Sequence, residues 1–213
     1  DIPSSHLRRI GETISEERYF RKNLRNQFRI IESILGNPTK ERNRMPLKRR
    51  SGGQILADGL KKQGVDTVFG VPGESYLALL DGLYETRDSI RFIICRQEGG
   101  AANMAEAFGK ITGRPGVCVV TRGPGAANAS IGVHTAFQDS TPMVLLVGQV
   151  SRDARDREAF QEVDHRVFFS ELSKWSAEIQ DPARIPEYLN RAFHLAVSGR
   201  PGPVVLALPE DML

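Results

Sequence analysis

Phe92-Ile93-Ile94-Cys95-Arg96-Gln97-Glu98-Gly99-Gly100-Ala101-Ala102-Asn103-Met104-Ala105-Glu106-Ala107-Phe108-Gly109-Lys110-Ile111-Thr112 joins an apolar run to a segment rich in glycine and alanine. The apolar run Phe92–Cys95 reads as a buried strand. Arg96 and Gln97 make a short turn, and a small-residue helix follows from Glu98. Glu98 is thereby expected at a helix N-terminus and at the carboxyl end of a strand. In open parallel α/β sheets ligands bind at that edge, and the helix dipole favours a carboxylate there. The same position suits a plain helix-capping role equally well. Position alone leaves the two readings open.

Outward from this stretch the pattern is regular. Helices are expected over Ile55–Gln63, Tyr76–Tyr84 and Pro186–Val197. Another is opened by a Gly123-Pro124-Gly125 turn and runs through Ala136. Strands are expected at Thr67–Phe69, Val117–Thr121, Met143–Val147, Trp175–Ile179 and Val204–Leu208, six with Phe92–Cys95. A polar loop spans Gln149 to about Phe160, with a short helix beyond it. Strands alternating with helices imply βαβ units. Their continuous apolar runs imply that both sheet faces are covered. The fold class is α/β, a doubly wound six-stranded parallel sheet with helices on both faces, plus an appended N-terminal helix.

That appended helix lies in residues 1–50, a basic helical extension and linker. Thr13-Ile14-Ser15-Glu16 is a capping box. Phe20, Leu24, Phe28, Ile31 and Leu35 form an apolar stripe, and Arg18, Lys22, Arg25 and Arg29 a basic one. Such stripes fit docking to an acidic partner or a membrane surface, or, more simply, packing on protein. Gly36-Asn37-Pro38 stops the helix, and residues 37–53 read as a linker. The Arg content is that of a transit peptide, but Glu16, Glu17 and Glu32 argue against one. Met45 is a candidate natural start.

Residues 1–50 hold 13 basic and 6 acidic residues, a net +7, and the remainder holds 16 against 20, a net −4. The basic balance thus belongs to the extension and does not point the main domain toward nucleic acid. No apolar run is long enough to span a membrane, and no signal-peptide core is visible. Cys95 and Cys118 both lie in apolar runs and read as buried thiols, not as a metal pair or a disulfide. The expected location is cytoplasmic.

Three loops at strand carboxyl ends carry the unusual residues: the Val71 turn, the Glu98 turn and Thr121–Asn128. The last reads Gly-x-Gly-x-x-Asn, so the third glycine of a dinucleotide fingerprint is missing. Pro124 also removes an N–H from the would-be phosphate cradle. Together with Asp139-Ser140-Thr141-Pro142-Met143, Gly148-Gln149-Val150, Ala159-Phe160-Gln161-Glu162 and Ser198-Gly199-Arg200-Pro201-Gly202-Pro203, these loops carry a resemblance. From Ser51 to Leu213 the chain resembles the N-terminal pyrimidine-binding domain of thiamine diphosphate (TPP) enzymes, and the acetolactate synthase family in particular.

The resemblance implies roles. Glu98 matches the catalytic glutamate that hydrogen-bonds N1′ of the aminopyrimidine and promotes its imino tautomer. Val71, Pro72 and Gly73 match the loop that approaches the pyrimidine. Thr121, Gly123, Pro124, Gly125 and Asn128 match residues around its ring. Gln149, Phe160 and Gln161 match the substrate side, with an ordinary surface loop as the plainer alternative. The implied cofactor is thiamine diphosphate with Mg²⁺, with FAD left open. The implied partners are a small 2-oxo acid and a second subunit, in a homodimer or homotetramer, with no nucleic acid or membrane. The resemblance implies a carboligase or decarboxylase. A non-catalytic or split-subunit domain with a regulatory role is the alternative.

Two positions depart from the family pattern: Gln97 stands where acetolactate synthases commonly have His, and Val71 where they often have Tyr. His134, His165 and His194 read as structural. There is no Gly-Asp-Gly motif for diphosphate and Mg²⁺, so those groups and the middle domain are expected outside this chain. The 213 residues are then expected to be a fragment or a split subunit that supplies half a site and is inactive alone.

Overall fold

The computed structural model describes residues 49–213; the expected N-terminal helix, its stripes and most of the linker lie outside the described residues. The first described element is α1 (Gly52–Lys62), opened by a capping box between Ser51 and Gln54. Gly52 and Gly53 therefore belong to the helix and are buried, which corrects the linker boundary expected at Gly53. The reason is steric. A Cβ on Gly52 would lie 2.2 Å from the Met212 carbonyl oxygen, and one on Gly53 would lie 2.1 Å from that of Ala78.

Strand β1 (Thr67–Gly70) leads through a 3₁₀ turn at Glu74–Tyr76 into α2 (Leu77–Glu85). Next come β2 (Arg91–Ile94), α3 (Glu98–Thr112), β3 (Gly116–Thr121), α4 (Arg122–Gln138) and β4 (Met143–Gln149). The chain ends with α5 (His165–Phe168), β5 (Trp175–Glu178), α6 (Ile185–Val197) and β6 (Pro203–Pro209). All six expected strands are present. They form one parallel sheet in the order β2-β1-β3-β4-β6-β5.

Alternation along the central strands divides the core in two. Val117 and Val119 of β3, Val144 and Leu146 of β4, and Val204 and Leu206 of β6 pack with Leu56, Leu60 and Leu189 of α1 and α6. Cys118 and Val120, Leu145 and Val147, and Val205 pack on the other face, against Ala101, Ala105, Ala129 and Val133 of α3 and α4. Burial on both faces is why these strands are continuous apolar runs. Chain direction reverses about β1, which has β2 on one side and β3 on the other. That switch point opens a crevice at the carboxyl ends of β1 and β3.

Three local expectations need correction. β2 is an edge strand with Arg91 and Ile94 exposed, not the buried strand expected; it ends at Ile94, and Cys95 is half-buried, not buried. Its N–H still donates to Gly70 O at 2.8 Å. Gly123-Pro124-Gly125 is not a turn ahead of a helix but lies inside the first turns of α4, which starts at Arg122. Proline is well tolerated there, since a first-turn N–H has no intrahelical partner. β4 extends through Gln149, where a loop was expected to begin.

His134 and His194 are exposed, but His165 is fully buried beside Phe169 and neither ring nitrogen has a hydrogen-bond partner. Burial and the Arg155 charge pull its pKa down to about 4, against an opposing effect of Asp164. The ring is thus neutral in the folded protein. The unfolded chain binds a proton near pH 6.5, so stability is complete above that pH and declines as pH falls toward 4. The shift corresponds to roughly 3 kcal/mol at its low-pH limit. Asp164, held down to about 2 first by the Arg166 side chain, acts only at lower pH. Urea unfolding of wild type and His165→Phe between pH 7 and 4 checks this. The slope of stability against pH over that window should flatten in the variant.

Candidate active site

Glu98 is the first residue of α3, at the carboxyl edge of the sheet. The cap of that helix is Gln97, whose side chain accepts from Gly100 N–H at 2.8 Å. Glu98 is thus relieved of capping, and its half-buried carboxylate is available for another task. One oxygen, Oε2, accepts from Asn128 Nδ2 at 3.0 Å. Oε1 has no partner among the described residues. The alternative left open by sequence position, a plain cap, is thereby assigned to the neighbouring residue.

Asn128 reaches Glu98 because α3 and α4 approach closely along small residues. A Cβ on Gly132 would lie 2.6 Å from Ala102 Cβ, and one on Gly99 would lie 3.1 Å from Asn128 O. Gly125 is different. A Cβ there would meet Val120, Thr121 and Glu98 Cγ at 3.3, 3.4 and 3.7 Å, near-ordinary contacts. Its absence leaves a notch one carbon deep beside Glu98. A carboxylate with one free oxygen next to such a notch suits a flat ring that carries a nitrogen.

The β1 loop forms the other wall. Tyr76 is fully buried and donates from its hydroxyl to Val71 O. Burial, and then the proximity of Cys118 and Glu98, push its pKa up, so it stays a donor. Ser75 Oγ lies 2.8 Å from Thr121 Oγ1, which ties the loop to the end of β3. Gly73 is needed for this packing: a Cβ would sit 2.6 Å from Thr121 Cβ and 3.1 Å from Tyr76 Cε1. Its small size therefore serves internal closeness. Val71 is half-buried, and Pro72 and Pro124 are exposed.

The substrate-side candidates separate. Gln149 is fully buried; its Nε2 donates to Val163 O at 2.7 Å and its Oε1 accepts from Val150 N–H at 2.9 Å. Phe160 is 72% exposed and Gln161 half-buried. Gln161 is joined to the site edge by the Gly123 N–H, which donates to its carbonyl at 2.9 Å.

Sequence reasoning missed the roles of Tyr76, Ser75 and Arg122. Arg122 sits at φ 23°, a conformation uncommon outside glycine. Its buried guanidinium pairs with Glu210 at 2.7 Å and with Glu74 at 3.4 Å, linking the β1 loop to the end of β6. Nothing in the local pattern announces a strained arginine, since glycine is the residue expected there.

A parallel sheet with a half-buried carboxylate at its switch-point edge, freed of capping, is the arrangement of a ligand-binding α/β domain. Residues 50–167 match the family model described as thiamine pyrophosphate enzyme, N-terminal TPP binding domain. The chain belongs to that family. It is similar to the acetolactate synthase of Arthrospira platensis, 41% identical over 168 residues, which are 78% of this chain and 29% of the relative. It is 41% identical to the mitochondrial acetolactate synthase catalytic subunit of Saccharomyces cerevisiae over 76% of this chain and 23% of that protein. The mitochondrial acetolactate synthase of Schizosaccharomyces pombe is 36% identical over 98% of this chain and 32% of its own length. The chain thus spans about a quarter to a third of these relatives.

Asn128 is exposed, so its replacement should leave stability within about 0.5 kcal/mol of wild type. Asn128→Ala frees the Glu98 carboxylate to rotate. Thiamine diphosphate binding to the full-length protein should weaken by about tenfold, the usual effect of losing one charge-assisted hydrogen bond. Calorimetric titration checks the binding and thermal unfolding the stability.

Proposed function

We propose that this chain is the pyrimidine-binding part of a thiamine diphosphate-dependent enzyme of the acetolactate synthase kind, acting on 2-oxo acids. The observation that carries the reading is the Glu98 carboxylate, released from capping by Gln97 and held through one oxygen by Asn128. When bound, thiamine diphosphate supplies a centre that stabilises the carbanion left when a bond next to a carbonyl breaks.

The chain's own residues bind, orient and move a proton. The free Glu98 oxygen shares a proton with the pyrimidine N1′. The N-terminal end of α3 keeps that carboxylate favourably placed. Gly125, with no side chain beside Glu98, would let the ring come close to the carboxylate. Tyr76, Ser75 and Thr121 hold the Val71–Gly73 backbone, which would line the ring's site. Phe160, standing out from the domain, and Gln161 face the 2-oxo acid. Gln149 supports that loop from below through Val163. Diphosphate and Mg²⁺ are held by a part of the protein beyond these 213 residues, contributed by a second subunit, so that the site is complete only in a dimer or larger assembly.

Two measurements on the full-length protein test this. Release of CO₂ from pyruvate and other 2-oxo acids should require thiamine diphosphate. In Glu98→Gln the fold should survive, because Gln97 remains the cap. Exchange of the reactive cofactor proton with solvent should slow by about 10² to 10⁴, the usual contribution of a positioned acid–base group. Unchanged exchange in the variant would remove Glu98 from the role.

A further inference from the structure

The loop between β4 and α5 carries three non-glycine residues at positive φ: Asp156 at 62°, Glu158 at 55° and Gln161 at 65°. Each such residue is unfavourable, and backbone of this kind persists only where its surroundings over-determine it. The loop's largest apolar side chain does not supply that hold, since Phe160 is 72% exposed. The hold comes from Glu162. Its carboxylate accepts from Asp156 N–H at 2.7 Å and from Ala159 N–H at 3.1 Å. Its own N–H donates to Ala159 O at 2.9 Å. These backbone bonds, led by the one from Asp156, hold the Glu162 carboxyl below its ordinary pKa. It is an ionised acceptor gathering amides that would otherwise point at nothing.

The latch is anchored to the sheet. Arg155 lies 3.8 Å from Glu162, 3.9 Å from Asp164 and 3.6 Å from buried Glu178 on β5. Gln149, at the end of β4, holds Val163 O from beneath. At the far side the Gly123 N–H fixes Gln161 O. A Cβ on Gly123 would lie 2.8 Å from Val163 Cγ2, so α4 and the loop touch without slack. The backbone that carries Phe160 and Gln161 is therefore held between the Glu162 latch and the first turn of α4.

We propose that Glu162 is a positioning residue that presets Phe160 and Gln161 for the 2-oxo acid, acting through the loop backbone and not by touching substrate. The inference rests on the 2-oxo acid reading above. Presetting matters because an exposed aromatic tip on a loose loop must be ordered each time substrate binds, which weakens binding. A carboxylate that fixes the amides at 156 and 159 removes that requirement in advance.

The test uses the full-length enzyme and Glu162→Gln, which keeps side-chain length and one acceptor oxygen but loses the charge. Three readouts are taken: hydrogen exchange of the amides at 156 and 159, KM and kcat with pyruvate, and solvent exchange of the cofactor proton. The two amides should exchange about tenfold faster or more, as local opening becomes easier. KM for pyruvate should rise by about tenfold while kcat moves less, as expected when binding preorganisation is lost. Cofactor proton exchange should keep the wild-type rate. Unchanged amide protection would overturn the latch. Loosened amides with unchanged KM would overturn the positioning role, and so would a slowed cofactor proton, which would move the effect to the Glu98 side. Glu98→Gln serves as the control. If it leaves cofactor exchange unchanged, the cofactor reading fails while the amide result still judges the latch.

Discussion

The close approach of α3 and α4 is the constraint on which the site depends. Both helices are lined by buried small residues, Ala101, Ala102 and Ala105 on one and Ala126, Ala129 and Gly132 on the other. There is no room for a Cβ at Gly132, 2.6 Å from where Ala102 Cβ stands. Small residues let two backbones meet where larger ones would hold them apart, and a packed interior does not yield to an added methyl group. Both helices leave neighbouring regions of the same sheet edge. Closing the seam therefore brings their first turns together, and with them Glu98 and Asn128.

From that closeness follows a division of labour among polar groups. Gln97 satisfies the Gly100 amide, so Glu98 does not have to. Asn128 fixes one Glu98 oxygen and leaves the other. Ser75 and Thr121 pair with each other, and Tyr76 is directed at Val71 O, so the loop after β1 is closed on itself behind the site. Gln97 stands where acetolactate synthases commonly have histidine. Here its geometry accounts for it without any contact to substrate: a side-chain oxygen three residues before an amide is a cap.

The sheet was legible because its signal is coarse. Met143–Val147 and Val204–Leu208 are unbroken apolar runs, and few other environments accept them. The place of Glu98 at the start of a small-residue helix after a strand was legible; that Gln97 and not Glu98 caps the helix was not, since position suits both. What escaped is what depends on distant backbone. Gly52 and Gly53 read as linker because their reason lies in Met212 and Ala78, both distant along the chain. Gly123-Pro124-Gly125 read as a turn because composition does not reveal that Arg122 adopts φ 23° and starts the helix early. Gln149 was grouped with the substrate side by the resemblance of Gly148-Gln149-Val150 to the family; that its side chain is enclosed and bonded to the backbone at 150 and 163 no local pattern shows.

On this proposal the Glu98 oxygen left unpartnered among the described residues is the one that meets the cofactor. A crystal structure of the full-length protein with thiamine diphosphate and Mg²⁺ measures this directly. Glu98 Oε1 should then lie about 2.7 Å from the pyrimidine N1′, a short charge-assisted contact, with Asn128 Nδ2 still on Oε2 and the ring over Gly125. A pyrimidine seated elsewhere on the domain, or one whose N1′ is met by Asn128 with Glu98 turned away, would contradict it.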